Sequence, residues 1–422
     1  MRRYPLLFTA LLYALPSVGA EMSTPDLPPP DMARVALDSH INVISASGTL
    51  RQEQSLRRRW ESGPYEFNLR VGSARRSVAS TGQNLKEWDV ALERPFRLPN
   101  KVLLDSEIGA ETEARAEYAL GDARHEAGRT LLRMWFAWLR EEARTEEWAK
   151  QCDILTQLAE AARKRFKAGD APQLEVNQAE AALAQSNIGW QQAKLQMSLA
   201  AADLQRQYPG LVLPDTVPPS QPQAIEGDLA TWRDRVLGHN HELGMAQADA
   251  HVQQLLAERS RADRIPDPTL GLRHSNEMGG DMKVNGVYLS MPISFGQRGA
   301  LADAARAQAD TAVSREAAVR RRLEGDIAAA YDQATTNFRT WQLAAQAGDN
   351  IRRNADLMSR AYTLGESGLG DVLSARRISL EASLNEDLAR LAANESRYRL
   401  LLDAHRLWPL DDHEDDDRHD HY

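Results

Sequence analysis

The sequence is long, mildly acidic and poor in aromatic residues: it has 422 residues, a formal net charge of −9, 42% hydrophobic residues and only 6% aromatic residues. This composition, rich in Ala, Leu, Arg, Glu and Gln, favours long helices over compact mixed cores. The mild acidity argues against a nucleic-acid-binding protein, because such proteins usually have a basic face.

The N-terminal segment is typical of an exported protein. Two arginines precede an apolar run from Leu6 to Leu15, and small residues ending at Ala20 fit a cleavage site. We therefore predict a signal peptide over residues 1–20. Cys152 is the only cysteine, so we expect neither an intramolecular disulfide nor a lipid-bearing N-terminal cysteine. No later run is long and apolar enough for a transmembrane helix, so entry into a membrane would require strands.

The first half of the chain, residues 21–210, is predicted to contain helices, two strands and a helical hairpin. Period-two alternation of apolar and polar residues indicates the strands, and long proline-free stretches indicate the helices. The predicted elements are a helix over 31–63, strands over about 64–76 and 84–97, a long helix to about 164, a hairpin tip at 166–179 and a helix to about 207.

The second half, residues 228–408, repeats this order after a stiff linker at 211–227 that contains four prolines. Its predicted elements are a helix over about 229–263, strands over about 266–276 and 284–296, a long helix, a tip at 362–375 and a helix to about 408. An acidic tail that contains histidines, residues 409–422, ends the sequence.

Two pairs of segments align between the halves without a gap. In the tips, Gly169 matches Gly365 and Glu175 matches Asp371. Where the second strand of each half leads into the long helix, two further pairs match, namely Pro95 with Pro292 and Lys101 with Arg298. Such regular internal similarity predicts a duplication, with one architecture for both halves.

The predicted lengths indicate a rod with strands at one end. A helix over residues 102–164 would span about 95 Å, and two shorter helices stacked end to end would match it. Strands of about nine to eleven residues suit a tilted membrane strand. Four strands cannot close a membrane barrel, and lipid does not tolerate open strand edges, so several copies would have to pool their strands. Alternatively, two water-soluble hairpins cap a helical rod.

The signal peptide, the doubled helix–strand–strand–helix order, the junctions and the tips together resemble the TolC-type outer-membrane efflux factors. Within them the chain is most similar to the heavy-metal (Czc-type) outer-membrane components of resistance-nodulation-division (RND) systems. The resemblance implies a mostly α protein with a small β part, a homotrimer whose twelve pooled strands form an outer-membrane β-barrel continued by a periplasmic α-helical barrel. It implies a periplasmic membrane-fusion adaptor, an inner-membrane RND pump and outer-membrane lipid as partners.

The resemblance also assigns roles to the tip residues. It implies that they line a periplasmic entrance narrowed by acidic rings, which Ser374, Glu175 and Gln178 would make less acidic here than in multidrug relatives. The candidate entrance residues are Gly169, Glu175, Gln178, Gly365, Asp371 and Ser374.

Enzymatic motifs and cofactor sites are not indicated. The histidines before the tail are scattered along the sequence, and we interpret them as surface residues rather than ligands. His413, His419 and His421 stand among acidic residues in the tail and form a candidate site for divalent cations, since imidazole and carboxylate suit zinc, cobalt and nickel. The alternative for this segment is a solvated tail.

The sequence therefore predicts a passive outer-membrane conduit of a tripartite RND efflux complex in a Gram-negative cell. Divalent heavy-metal cations are the expected cargo, and organic solutes or drugs are the alternative cargo. The alternative from another class of protein is a soluble periplasmic coiled-coil adaptor or scaffold.

Overall fold

The computed structural model describes residues 24–293 and 296–408. It confirms a mostly helical chain with one small antiparallel sheet. The predicted signal peptide and the predicted cation site of the tail lie outside the described residues.

Helices and strands follow one order in both halves. The first half contains α1 (Pro30–Asp38), α2 (Ile41–Ser62), β1 (Asn68–Val78), β2 (Gln83–Pro95), α3 (Pro99–Ala168) and α4 (Gln173–Gln207). The second half contains α5 (Leu229–Gly238), α6 (His241–Ala262), β3 (Thr269–Glu277), a single 3-10 turn (Met278–Gly280), β4 (Met282–Ser290), α7 (Gln297–Leu364) and α8 (Leu369–Asp403).

Each half forms a rod built on one very long helix. α3 has 70 residues and α7 has 68, which corresponds to about 100–105 Å at about 1.5 Å per residue. The shorter helices α2 and α4 pack along α3, and α6 and α8 pack along α7. The two rods meet where α3 contacts α6 and α8.

The stretches predicted as single helices over 31–63 and about 229–263 are each two helices, which corrects the sequence interpretation. The side chain of His40 accepts a hydrogen bond from the backbone N–H of Asn42 at 3.3 Å. Asn240 accepts one from the N–H of Leu243 at 2.8 Å. These caps satisfy N–H groups that a new helix leaves without partners. No proline lies at either break, so the sequence pattern predicts one continuous helix in each stretch.

Several element ends also differ from the sequence interpretation, and two of them lie next to prolines. β3 begins at Thr269 rather than about 266, since Pro266 and Pro268 lack the N–H that a strand ladder needs. β4 ends at Ser290, before Pro292, although the pattern predicts a strand to about 296. α8 ends at Asp403 rather than about 408.

The four strands form one antiparallel sheet in the order β1-β2-β3-β4. The register places four apolar side chains in one row across it, namely Leu69, Leu92, Leu272 and Val287. On the other face, Arg70 pairs with Glu93 at 3.0 Å, and the Tyr288 hydroxyl donates to Glu93 at 2.5 Å. The sheet therefore has an apolar face and a polar face.

The main hydrophobic core lies midway along the rods, where most of the buried aromatic residues gather. Its aromatic members are Trp135, Phe136, Trp138, Tyr208, Trp232, Tyr398 and Trp408. Asp26 ties the N-terminal leader to this core, because its carboxylate accepts hydrogen bonds from Tyr398 at 2.7 Å and Asn394 at 2.9 Å. Within the described ranges, none of the helices is both long enough and apolar enough to cross a membrane.

Candidate functional site: the helical tips and the strand-to-helix junction

The two tips are helix ends closed by glycine in the left-handed conformation. Gly169 has φ 82° and Gly365 has φ 78°. Each glycine N–H donates to the carbonyl three residues back, and the next N–H donates to the carbonyl five residues back, which defines a Schellman motif. Because glycine has no Cβ, it adopts this backbone without steric cost. A Cβ at either position would meet no atom within 4 Å, so both tips have open space beside them.

The tips pack against each other through the residues that follow the glycines. Val176 and Val372 are buried in one cluster with Tyr362. The Tyr362 hydroxyl donates a hydrogen bond to Glu175 Oε2 at 2.9 Å, and the Arg165 guanidinium lies 4.8 Å from the centre of the Tyr362 ring. Burial and the bond to Glu175 raise the pKa of Tyr362, so this hydroxyl stays protonated and keeps donating at neutral pH.

The predicted entrance residues differ in exposure. Asp371, Ser374 and Gln178 are exposed, whereas Glu175 is half-buried against Tyr362 and Arg165. Glu175 therefore joins the first tip to the second, a contact that the alignment of the tips did not reveal. Asp371 presents its carboxylate at the surface of the tip.

Lys101 is the centre of a buried ion network where the strands meet the helices. Its side chain is fully buried, and Nζ lies 2.8 Å from Asp267 Oδ1, 2.9 Å from Asp263 Oδ1 and 2.8 Å from the Ile265 carbonyl oxygen. The three N–H groups of the ammonium thus each have an acceptor. Arg298, the matching residue of the second half, donates to the Asp263 carbonyl oxygen at 2.8 Å. Both matched cations therefore converge on one turn between α6 and β3.

A second buried carboxylate, Asp105, extends this network. It contacts Arg97 at 2.8 Å and Arg259 at 2.6 Å, and Arg97 also donates to the carbonyl oxygens of Trp60 and Glu61. The network thus joins α2, α3 and α6 below the sheet. Of the charged residues in this network, the sequence alone indicates only Lys101, because acidic residues in helical patterns carry no local sign of burial.

The matched prolines mark the ends of two strands. Pro95 is the last residue of β2 and is half-buried, and the next backbone N–H, from Phe96, donates to the Pro268 carbonyl oxygen at 2.9 Å. Pro292 is exposed and lies two residues beyond β4.

The network sets the protonation of its members. Burial raises the pKa of Asp267, but hydrogen bonds from Lys101 and Tyr65 outweigh burial, so the pKa lies below its usual value. The pKa of Asp263 is likewise lowered, because bonds from Arg259 and Lys101 outweigh its burial. Burial and the 2.6 Å hydrogen bond to Asp267 raise the pKa of Tyr65 to about 12. The carboxylates are therefore ionised and Tyr65 is neutral at neutral pH.

The interpretation of the histidines as scattered surface residues is wrong for His40 and His125, which are buried, and it overlooks a cluster. The structure brings His125, His241 and His405 together, with the ligand atoms of their rings within 4.8 Å of one another. They come from distant parts of the chain, and no spacing in the sequence could have revealed the cluster. The cluster forms because α3, the start of α6 and the end of α8 lie side by side at the same height along the rods.

Comparison with known proteins supports the resemblance to efflux channels. Residues 232–402 match the family model of the outer membrane efflux protein. No curated protein matches the chain. The CmeC outer membrane channel of Campylobacter jejuni is similar in structure, with a TM-score of 0.75 and 15% identity over 92% of this chain and 88% of that one.

Two further solved structures share this architecture. For the outer membrane protein VceC of Vibrio cholerae the TM-score is 0.74, with 15% identity over 90% of this chain and 96% of that one. For the open state of the MtrE outer membrane channel of Neisseria gonorrhoeae the TM-score is 0.61, with 16% identity over 90% and 89% of the two chains. The chain therefore has the fold of the outer-membrane efflux channels, and most of its second half matches the family model of the outer membrane efflux protein.

Proposed function

We propose that the protein is the outer-membrane channel of a tripartite efflux complex and that it conducts its cargo passively. The observation that carries this proposal is an exposed apolar sheet face at one end of helices about 100 Å long. The apolar row across the sheet is open to solvent in the single chain, with exposed fractions of 62% for Leu69, 41% for Leu92, 55% for Leu272 and 70% for Val287.

Such a face favours lipid as its surroundings. A contiguous exposed apolar surface is unusual for a protein in water, whereas the outward face of a membrane barrel is apolar and its interior is polar. Strands β1 and β4 are the edges of the sheet, and unpaired strand edges are not tolerated in lipid. Three copies that pool four strands each would make a closed twelve-stranded barrel, which removes the edges.

The helices and tips then serve the periplasmic side. In a trimer the long helices would continue the barrel as a tunnel, and the paired tips would close its far end. An adaptor from a membrane-fusion family and an inner-membrane RND pump would deliver the cargo there. The proposed mechanism is a separation of the tips, with no chemical turnover by this chain.

We further propose divalent heavy-metal cations as the cargo. Support comes from the sequence resemblance and from the exposed carboxylate of Asp371, which would recur three times around a trimeric entrance and attract cations. A strain without the gene should become sensitive to zinc, cobalt or cadmium salts and regain resistance on complementation. Sensitivity to dyes or antibiotics with unchanged metal resistance would favour an organic cargo instead.

Cell fractionation tests the location and the assembly. We expect the chain in the outer-membrane fraction, running as a trimer in unheated electrophoresis samples and as a monomer after boiling. Recovery of a monomer in the soluble periplasmic fraction would contradict the proposal and favour a coiled-coil scaffold.

A further inference from the structure

Three imidazole side chains from three segments meet at the level where the two rods join. His125 lies on α3, His241 is the first residue of α6, and His405 follows the end of α8. Their ligand atoms lie within 4.8 Å of one another, and His125 Nε2 is 2.9 Å from His405 Nε2. We propose that these three histidines bind one divalent transition-metal cation of the zinc class per chain.

The spacing and the donor set suit such a cation. Zinc–nitrogen bonds of about 2.0–2.1 Å in a tetrahedral arrangement separate ligand nitrogens by about 3.3 Å. One pair of nitrogens is at 2.9 Å, and the ligand atoms of all three rings lie within 4.8 Å of one another, so a shared cation requires ligand atoms to approach by at most about 1.5 Å. Three neutral imidazoles suit zinc, copper(II) or nickel(II) and leave a fourth position open. The His239 ring lies nearby, with its centroid 6.1 Å from that of His405.

The ring of His241 lies in a place made for it by a glycine of α3. A Cβ built on Gly121 would lie 2.6 Å from both Nδ1 and Cε1 of His241. Any larger residue at position 121 would therefore displace the ring of His241. On its other side, Asn240 caps the start of α6 and so fixes the backbone that carries His241.

The backbone of His405 gives a second, independent sign that its side chain matters. His405 N–H donates to the Leu402 carbonyl oxygen at 3.0 Å, and Arg406 N–H donates to the Leu401 carbonyl oxygen at 2.8 Å. This Schellman motif is the same as those at the two tips, where glycine occupies the left-handed position. His405 adopts that position with φ 54°, which costs an L residue conformational energy that glycine avoids.

The position of the cluster also favours a structural role for a bound cation. His125 belongs to the first repeat, while His241 and His405 belong to the second. A bound cation would therefore link the two repeats. This structural role would be independent of the cargo that the protein conducts.

The test uses the full-length chain purified in detergent, freed of metal by a chelator and titrated with zinc chloride at neutral pH. Because a ligand that binds only the folded state raises its stability, zinc should raise the midpoint of thermal unfolding of the unaltered chain. His405→Gly should lose this rise and bind one zinc ion fewer per chain by calorimetry. The matched control is His251→Ala, which removes an exposed histidine of α6 and should respond to zinc as the unaltered chain does.

Two more variants keep the test decisive. Glycine fits the backbone at position 405, so His405→Gly should fold, and His241→Gln provides a second ligand removal if it does not. Gly121→Ala keeps all three ligands but displaces one, and should weaken zinc binding at least tenfold. Two results would overturn the proposal and leave only a hydrogen-bonded histidine cluster. The first is a zinc-dependent rise in the unfolding midpoint that is equal in His405→Gly and in the unaltered chain. The second is no rise in the unaltered chain.

Discussion

Lys101 carries a positive charge in a site that water does not reach. Its side chain is fully buried, and burial of an ammonium is costly unless its hydrogen bonds and its charge are matched. The carboxylates of Asp263 and Asp267 and the Ile265 carbonyl oxygen meet that need. Since these acceptors lie next to the sheet, the charge fixes the position of α3 relative to β3.

Lys101→Met should therefore destabilise the chain by about 3–5 kcal/mol, because it leaves two carboxylates without their shared partner. Denaturant unfolding of the purified protein measures this loss. The matched control is Arg298→Met, which removes the corresponding cation of the second repeat. Its side chain is half-exposed and donates to a single carbonyl oxygen, so the loss should be smaller. Equal losses would contradict the central role of Lys101.

Strong acid should weaken this network, because it protonates Asp267. The pKa of Asp267 is lowered in the folded state from the ordinary value of 3.8, so the folded chain binds fewer protons than the unfolded chain in this range. The resulting stabilisation is fully present above pH 3.8 and is lost as the pH falls through the folded pKa. Asp267→Asn should lower stability at neutral pH and make the acid loss shallower in pH-dependent unfolding. An unchanged acid slope would rule out Asp267 as its source.

At the scale of elements, each tip combines a glycine turn with a contact to the other tip. The turn needs only local hydrogen bonds, whereas the contact joins α7 to α4 through Tyr362 and Glu175. These two features can be changed separately. Variants of Gly365 test whether the adaptor docks beside the tip. Variants of Tyr362 test whether the contact between the tips keeps the entrance closed.

Gly365→Arg should abolish crosslinking to the adaptor and metal resistance together, while the trimer remains. A Cβ at Gly365 meets no atom of this chain within 4 Å, so the added side chain would occupy the open space beside the tip where we expect the adaptor. Gly365→Ala is the control, because it imposes the same backbone cost of about 1–2 kcal/mol with a small side chain. Full crosslinking by the arginine variant would show that the glycine serves only the turn.

Tyr362→Phe should make the tips separate more easily, since it removes the hydrogen bond to Glu175, a loss of about 0.5–1.5 kcal/mol. Conductance in planar bilayers should therefore rise in this variant. Tyr331→Phe removes a hydroxyl that donates to Gly227 far from the tip and should leave the conductance unchanged. A rise in this control would mean that conductance does not report on the tip.

At the scale of the whole molecule, the two faces of the sheet test whether the strands lie in a membrane. Leu289 and Val90 lie on the same face as the apolar row, and Ser290 lies on the opposite face. This alternation follows from the pleat of the strands. Substitutions at Leu289 and Ser290, which are neighbours on opposite faces of β4, therefore test which face contacts lipid.

Leu289→Arg should cost about 2–4 kcal/mol if the residue lies near the middle of the bilayer, and should reduce the amount of trimer in the outer membrane. Ser290→Arg should be tolerated, because its side chain would point into the polar interior. The yield of trimer in unheated electrophoresis samples measures both. Equal yields would remove the assignment of these strands to the membrane.

The sequence by itself determined the class of the fold and the position of its turns. Helical periodicity without proline predicted α3 and α7, and alternation predicted four strands, of which β4 ends at Ser290 rather than at about 296. Glycine at positions 169 and 365 marked both tips. These features depend on near neighbours along the chain, since backbone preferences, caps and proline act over a few residues.

Only the tertiary structure decided which side chains meet. Lys101 and Asp267 are 166 residues apart in the sequence, and His125 and His405 are 280 apart. No local pattern distinguishes a carboxylate or an imidazole that will be buried from one on the surface. Their partners depend on the level at which two rods of about 100 Å pack side by side, where a shift of one helical turn, about 5.4 Å, would separate every pair.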